Sequence, residues 1–201
     1  MKRFWIFAAT LSGVIISNAA LPAGNAKTGA TKAVVCQVCH GANGNSANPE
    51  WPSLAGLGAD YIAEQLQNFK AGKRNNPVMM PNAASLSPDD MADLGAYFDS
   101  LINTGLEADP SPQAGERLYR GGDKARSIPA CMACHGPTGR GNESAKFPAL
   151  RGQHSVYVMK QLNDYASGAR ATGSGGIMPT IAKRLSADDI RNLSSYVQGL
   201  R

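Results

Sequence analysis

Two pentapeptides, Cys36-Gln37-Val38-Cys39-His40 and Cys131-Met132-Ala133-Cys134-His135, hold all four cysteines and two of the three histidines of the chain. The pattern, CxxCH, is the attachment signature of a c-type haem. Its spacing has a physical basis. Positions i, i+3 and i+4 of a helical turn share one face, so two thiols can form thioethers with two vinyl groups while the adjacent imidazole reaches the iron. Three other chemistries use such cysteines. A disulfide within each CxxC suits an exported chain, zinc needs four ligands per site, and a thioredoxin-like pair needs a βαβ setting that the sequence does not offer. Two motifs in matching places favour haem over all three. Cys36, Cys39, Cys131 and Cys134 are thus candidates for covalent attachment, and His40 and His135 for the iron.

The motifs belong to a longer repeat. Trp51, Pro52, Leu54, Gly56, Tyr61, Gln65, Leu66, Phe69, Gly72 and Arg74 match Phe147, Pro148, Leu150, Gly152, Tyr157, Gln161, Leu162, Tyr165, Gly168 and Arg170 at a constant spacing of 96. The cysteine motifs match at 95, and Leu86, Ser87, Asp89, Asp90, Leu94 and Tyr97 match Leu185, Ser186, Asp188, Asp189, Leu193 and Tyr196 at 99. The differences are loop insertions. Two copies of about 90 residues make a duplicated domain, because a solenoid needs three or more stacked units. Domains this small bury a limited core, and a large flat apolar cofactor supplies much of what is missing. Around the seam, Gly105, Pro110 and Pro112 with Glu107 and Asp109 read as an extended linker. The expected division is a first domain over 21–104, a linker over 105–112 and a second domain over 113–201.

Each copy reads as helical. Ser87 is placed to cap a helix, with Pro88 at its first position and Asp89 and Asp90 in the first turn, where carboxylates favour the helix dipole. Met91, Leu94, Phe98 and Leu101 then recur at steps of three to four, as do Ile190, Leu193, Val197 and Leu200. A second helix is predicted over 60–71 and again over 155–167, stopped by Gly72 and Gly168. A first helix in each copy leads into the cysteines. With no convincing strand pattern, the expected class is all-α.

Lys2 and Arg3 precede an apolar run over 4–16 that ends in the small residues Ser17, Ala19 and Ala20. This is the form of a secretory signal over 1–20, and the run is too short for the roughly 20 residues that span a bilayer. Export to the periplasm would place the cysteines in an oxidising compartment. The net charge of +5, from 20 basic and 15 acidic residues, is uneven. Residues 21–110 carry five basic against nine acidic side chains, and 111–201 thirteen against six. No basic helix or aromatic platform organises that charge, so a nucleic-acid partner is excluded.

A haem iron that only shuttles electrons needs a second axial ligand, and His/Met ligation also raises its reduction potential. Met178, before Pro179, lies seven residues ahead of Leu185, and the spacing of 99 carries it onto Met79, seven ahead of Leu86. Met79 and Met178 are the candidate metal ligands. Met80, which precedes Pro81, stays open as the alternative to Met79. Met91, Met132 and Met159 read as packing residues, and His154 as a residue at a helix start or near the haem carboxylates.

Taken together, the two CxxCH motifs, the downstream methionines, the acidic Pro-containing linker and the paired WPxL/FPxL and LSxDD segments resemble the dihaem cytochrome c4 family over essentially everything after the signal. The resemblance implies two class I cytochrome c domains facing each other, two covalently bound haem c groups, and a periplasmic electron carrier with no catalytic residues. Its partners would be redox proteins, namely a periplasmic or membrane-bound respiratory electron donor and a terminal oxidase, with peripheral membrane association left open. It further implies that Pro52 and Pro148 offer carbonyls to the outer nitrogens of His40 and His135, and that Trp51/Phe147, Leu54/Leu150 and Tyr61/Tyr157 wall the haems. The alternatives are a haem subunit of a membrane dehydrogenase or oxidase and a dihaem peroxidase. Two features depart from the family pattern: the adjacent Met79 and Met80, and a second-copy insertion over 121–128.

Overall fold

The computed structural model describes residues 23–107 and 113–201. The expected signal over 1–20 and residues 108–112 of the expected linker lie outside them. The chain is all-α. In the first repeat run α1 (Ala26–Lys32), α2 (Val34–His40), α3 (Ala59–Lys70), α4 (Met79–Ala84) and α5 (Pro88–Asp99). In the second run α6 (Gln113–Gly121), α7 (Met132–His135), α8 (Ser155–Ser167), α9 (Ile177–Ala182) and α10 (Ala187–Gly199). Extended pairing among the described residues is limited to isolated bridges.

The last helix of each repeat begins where the caps place it. Ser87 and Asp90, and Ser186 and Asp189, form reciprocal capping boxes that satisfy donors otherwise orphaned at the helix start. Met91, Leu94 and Phe98 of α5 are almost wholly buried and form the centre of the first core with Ile62, Leu66 and Phe69 of α3. Leu193, Val197 and Leu200 fill the second core with Leu118, Tyr119 and Ile128, and Ile190 of α10 is buried with them. Met91 is core, Met132 packs against the second core, and Met159 is half-buried.

The first helix crosses the last one closely in both repeats, and glycine makes this approach available. A Cβ added at Gly29 would lie 2.0 Å from the Asp93 carbonyl oxygen, and one at Gly115 would lie 2.1 Å from that of Asn192. In the first repeat Lys32 also pairs with Asp90 at 2.6 Å and Asp93 at 2.8 Å, pinning α1 to α5.

The repeats differ at the approach to the cysteines. Only Ala33 separates α1 from α2, so the first helix does lead into Cys36. The second copy departs from that expectation, because α6 ends at Gly121 and the insertion forms a turn closed by paired backbone bonds between Asp123 and Ile128. Arg126 ties this turn to Asp123 and to Asp189 at the start of α10. The helix that carries the second motif, α7, is a single turn.

Extensive contacts join the two halves. Gln153 accepts from the Ser53 N–H at 2.9 Å and donates to the Ser53 carbonyl at 2.8 Å, while Ala149 N–H donates to the Leu57 carbonyl at 3.2 Å. The start of the linker is held by both repeats, since Asn103 donates to the Arg151 carbonyl and Asn45 accepts from Thr104 N–H. Gly115→Ala should therefore cost about 1–3 kcal/mol, the usual penalty for forcing a methyl into a filled contact, seen as a lower denaturant midpoint. An unchanged midpoint would show that α6 lifts from α10 without cost.

Candidate functional site

Both cysteine motifs lie on helices, the first directly after α1 as expected and the second on a separate turn. Cys36, Cys39 and His40 lie on α2, while Cys131 opens α7 as its N-cap, with Cys134 and His135 one turn on. Both helices stop directly after the histidine, at Gly41 (φ 85°) and Gly136 (φ 79°), left-handed positions that suit a residue without Cβ. The turn that follows brings a proline carbonyl back onto the imidazole. His40 Nδ1 lies 2.8 Å from the Pro52 oxygen and His135 Nδ1 lies 2.9 Å from that of Pro148. A carbonyl can only accept, so Nδ1 carries the proton and Nε2 keeps its lone pair. Burial lowers the proton affinity of both imidazoles against the opposing effect of these bonds, which keeps them neutral and ready to bind a metal.

Two cavities receive these groups. The first, of about 420 Å³, is lined by Cys36, Cys39, His40, Trp51, Pro52, Leu54 and Met79; the second, of about 160 Å³, by Cys131, Cys134, His135, Phe147, Pro148, Leu150 and Met178. All eight candidate attachment and ligand residues are thus gathered, four to each cavity. Met79 opens α4, with its N–H and that of Val78 donating to Asn76 Oδ1 at 2.9 and 3.0 Å. Met80 is not among the residues that line the first cavity.

None of the four cysteines is in a disulfide, and no cluster of three or more His, Cys, Asp or Glu side chains suited to a metal ion forms among the described residues. Burial pushes the Cys131 thiol up to about 11 and raises that of Cys36 as well, so both stay protonated until they are used. The donor set fits a haem c. Each cavity offers two thiols and an imidazole from one turn, apolar walls, and a thioether sulfur contributed by a separate helix.

A second group of residues sits where the cavities meet, including Gln65, Arg74, Gln161 and Arg170, which match in the repeat but were given no role from sequence. Leu57, Tyr61, Tyr157 and Gln161 line both. Arg74 donates to Gln65 of its own repeat at 3.0 Å and across the interface to the Tyr157 hydroxyl at 3.0 Å and Gln161 at 2.7 Å. Arg170 mirrors it, donating to Gln161 at 2.7 Å, the Tyr61 hydroxyl at 2.8 Å and Gln65 at 2.9 Å. Polar residues kept at matching places within an apolar block were the available signal. His154 occupies the start of α8, as expected, and its Nε2 lies 2.8 Å from the Ser46 carbonyl oxygen of the other repeat.

The family model for cytochrome c matches residues 26–101 and again 113–201. Cytochrome c4 of Azotobacter vinelandii is 46% identical over 196 residues, covering 92% of this chain and 93% of its own. The crystal structure of reduced recombinant cytochrome c4 from Pseudomonas stutzeri superposes with a TM-score of 0.85 at 44% identity, covering 89% of this chain and 100% of that one. The thiosulfate dehydrogenase electron acceptor of Stutzerimonas stutzeri (strain A1501) is 37% identical over 169 residues, 82% of this chain and 78% of its own. Replacing Cys131 and Cys134 together by Ala should leave one covalently bound haem per chain by mass spectrometry under denaturing conditions. Retention of two would place attachment elsewhere.

Proposed function

The chain belongs to the cytochrome c4 family of dihaem electron carriers, and from that premise we propose that it passes electrons in the periplasm from a respiratory donor to a terminal oxidase. The observation that carries this reading is the matched lining of the two cavities, each with two cysteines and a histidine from one helix and a methionine from a separate one. Each bound haem c supplies reversible one-electron exchange between ferric and ferrous iron. The protein's part would be to keep the iron's ligands through that exchange, so that little rearrangement accompanies it. Cys36 and Cys39 would anchor the first group, with His40 and Met79 as its ligands; Cys131 and Cys134 would anchor the second, with His135 and Met178. The carbonyls of Pro52 and Pro148 fix the imidazole orientations and increase their basicity. The two repeats, 21–104 and 113–201, act as separate redox domains.

Methionines in both repeats oppose a peroxidase, which needs an iron able to open a coordination position. Similarity to a thiosulfate dehydrogenase electron acceptor supports a second reading, in which the chain serves as the haem subunit of a dehydrogenase and its donor is a sulfur-oxidising enzyme. Among the described residues no helix is long and apolar enough to cross a membrane.

Met178→Ala should lower the potential of the second haem and open its iron to carbon monoxide, and Met79→Ala should do the same at the first while Met80→Ala leaves both spectra unchanged. An altered spectrum in Met80→Ala with a normal one in Met79→Ala would reverse the assignment. The charge division between the halves, −4 over 21–110 and +7 over 111–201, supports separate docking faces, since such fields act on association rate. Electron transfer with one charged partner should therefore show opposite salt dependences through the two haems; equal dependences would refute separate docking.

A further inference from the structure

The peptide group between Pro52 and Ser53 is engaged at both of its polar ends. Its carbonyl accepts from His40 Nδ1–H at 2.8 Å, and its N–H donates at 2.9 Å to the side-chain oxygen of Gln153, a residue of the other repeat. The Gln153 amide nitrogen donates in turn to the Ser53 carbonyl at 2.8 Å, so two bonds clasp the side chain to Ser53. Ser53 and Gln153 are each 4% exposed. The bonds therefore lie at low dielectric, where linked hydrogen bonds polarise one another.

The second repeat has the same construction in the opposite direction. The peptide between Pro148 and Ala149 accepts from His135 Nδ1–H at 2.9 Å and donates through Ala149 N–H to the Leu57 carbonyl of the first repeat at 3.2 Å. Leu57 and Gln153 are equivalent at the repeat spacing of 96. One position thus serves both sites, with a side-chain oxygen in one direction and a backbone oxygen in the other. An amide that donates at its N–H becomes a stronger acceptor at its C=O.

Given the ligand set proposed above, on which this inference rests, we propose that Gln153 is a positioning residue for the first haem. Acting from the second repeat through the Pro52–Ser53 peptide, it strengthens the bond to His40 Nδ1–H and lowers that haem's reduction potential. A stronger bond at Nδ1 leaves more electron density on the imidazole, and a more basic axial ligand favours ferric iron. At the second site the Leu57 carbonyl plays this part, and no side-chain substitution removes it.

The test is NMR of the imidazole Nδ1–H resonances in the reduced, diamagnetic dihaem protein, joined to a haem-resolved redox titration. Gln153→Met keeps the side-chain length and removes the acceptor, so the His40 resonance should move upfield and the first potential should rise. Because Gln153 also lines the second cavity, the control is the His135 resonance, which should stay at its wild-type position. Gln153→Glu keeps an oxygen for Ser53 N–H, so the His40 resonance should stay in place or move downfield. A seam that is merely loosened would move the His40 signal upfield in both variants, and that result would overturn the relay. Equal shifts at both histidines, no shift at either, or an unchanged first potential in Gln153→Met would do the same. If Gln153→Met fails to fold, the direction of the shift in Gln153→Glu decides alone. A wild-type His40 resonance without the ring-current displacement of an iron-bound imidazole would overturn the ligand set itself, whereas a displaced resonance that ignores Gln153 overturns only the relay.

Discussion

Carrying two thiols and an imidazole on one helical turn is the demand that shapes each repeat. The three groups must face one way, and what they face must be apolar, deep and closed on its far side. The turn after His40 and His135 meets the first requirement by sending a proline carbonyl back to Nδ1, which fixes ring plane and tautomer at once. A further wall of each cavity comes from a short helix starting at or beside a methionine. Neither α4 nor α9 has the length to be stable alone, so each relies on packing, with Ala83 and Ala182 fully buried beneath it.

The second constraint follows from duplication. Two domains with open cavities could have met through apolar surface alone, which would have allowed them to slide. They meet instead through directional bonds, Ser53 with Gln153, Ser46 with His154, and the four crossed contacts of Arg74 and Arg170. The arginines and their acceptors obey the repeat, each residue bonding to the counterpart of its own neighbour, which gives the seam an approximate two-fold character. The remainder breaks it. His154 reaches the Ser46 carbonyl, whereas the first repeat has Gly58 at the matching helix start. A polar seam with a fixed register holds the two redox sites at one separation.

Much of this was legible in the sequence because it is local. Caps at Ser87 and Ser186, the apolar periods of α5 and α10, and the cysteine-histidine turns depend on residues within a few positions of one another. The cavity linings also followed, since anything flanking an attached haem is core by necessity. The seam was not legible. The repeat identified Gln65 with Gln161 and Arg74 with Arg170 as equivalents, but equivalence does not say whether a residue bonds within its own copy or to the other. The insertion over 121–128 was visible as an indel. Its anchoring was not, because Arg126 of the insertion bonds Asp189, more than sixty residues away.

The two seam arginines are satisfied from both repeats at once, by two amide and two phenol oxygens, so the interface gains directional bonds that neither repeat could make alone. Glutamine is suited to this, since one carbonyl oxygen has two lone pairs and can accept from two guanidiniums at once.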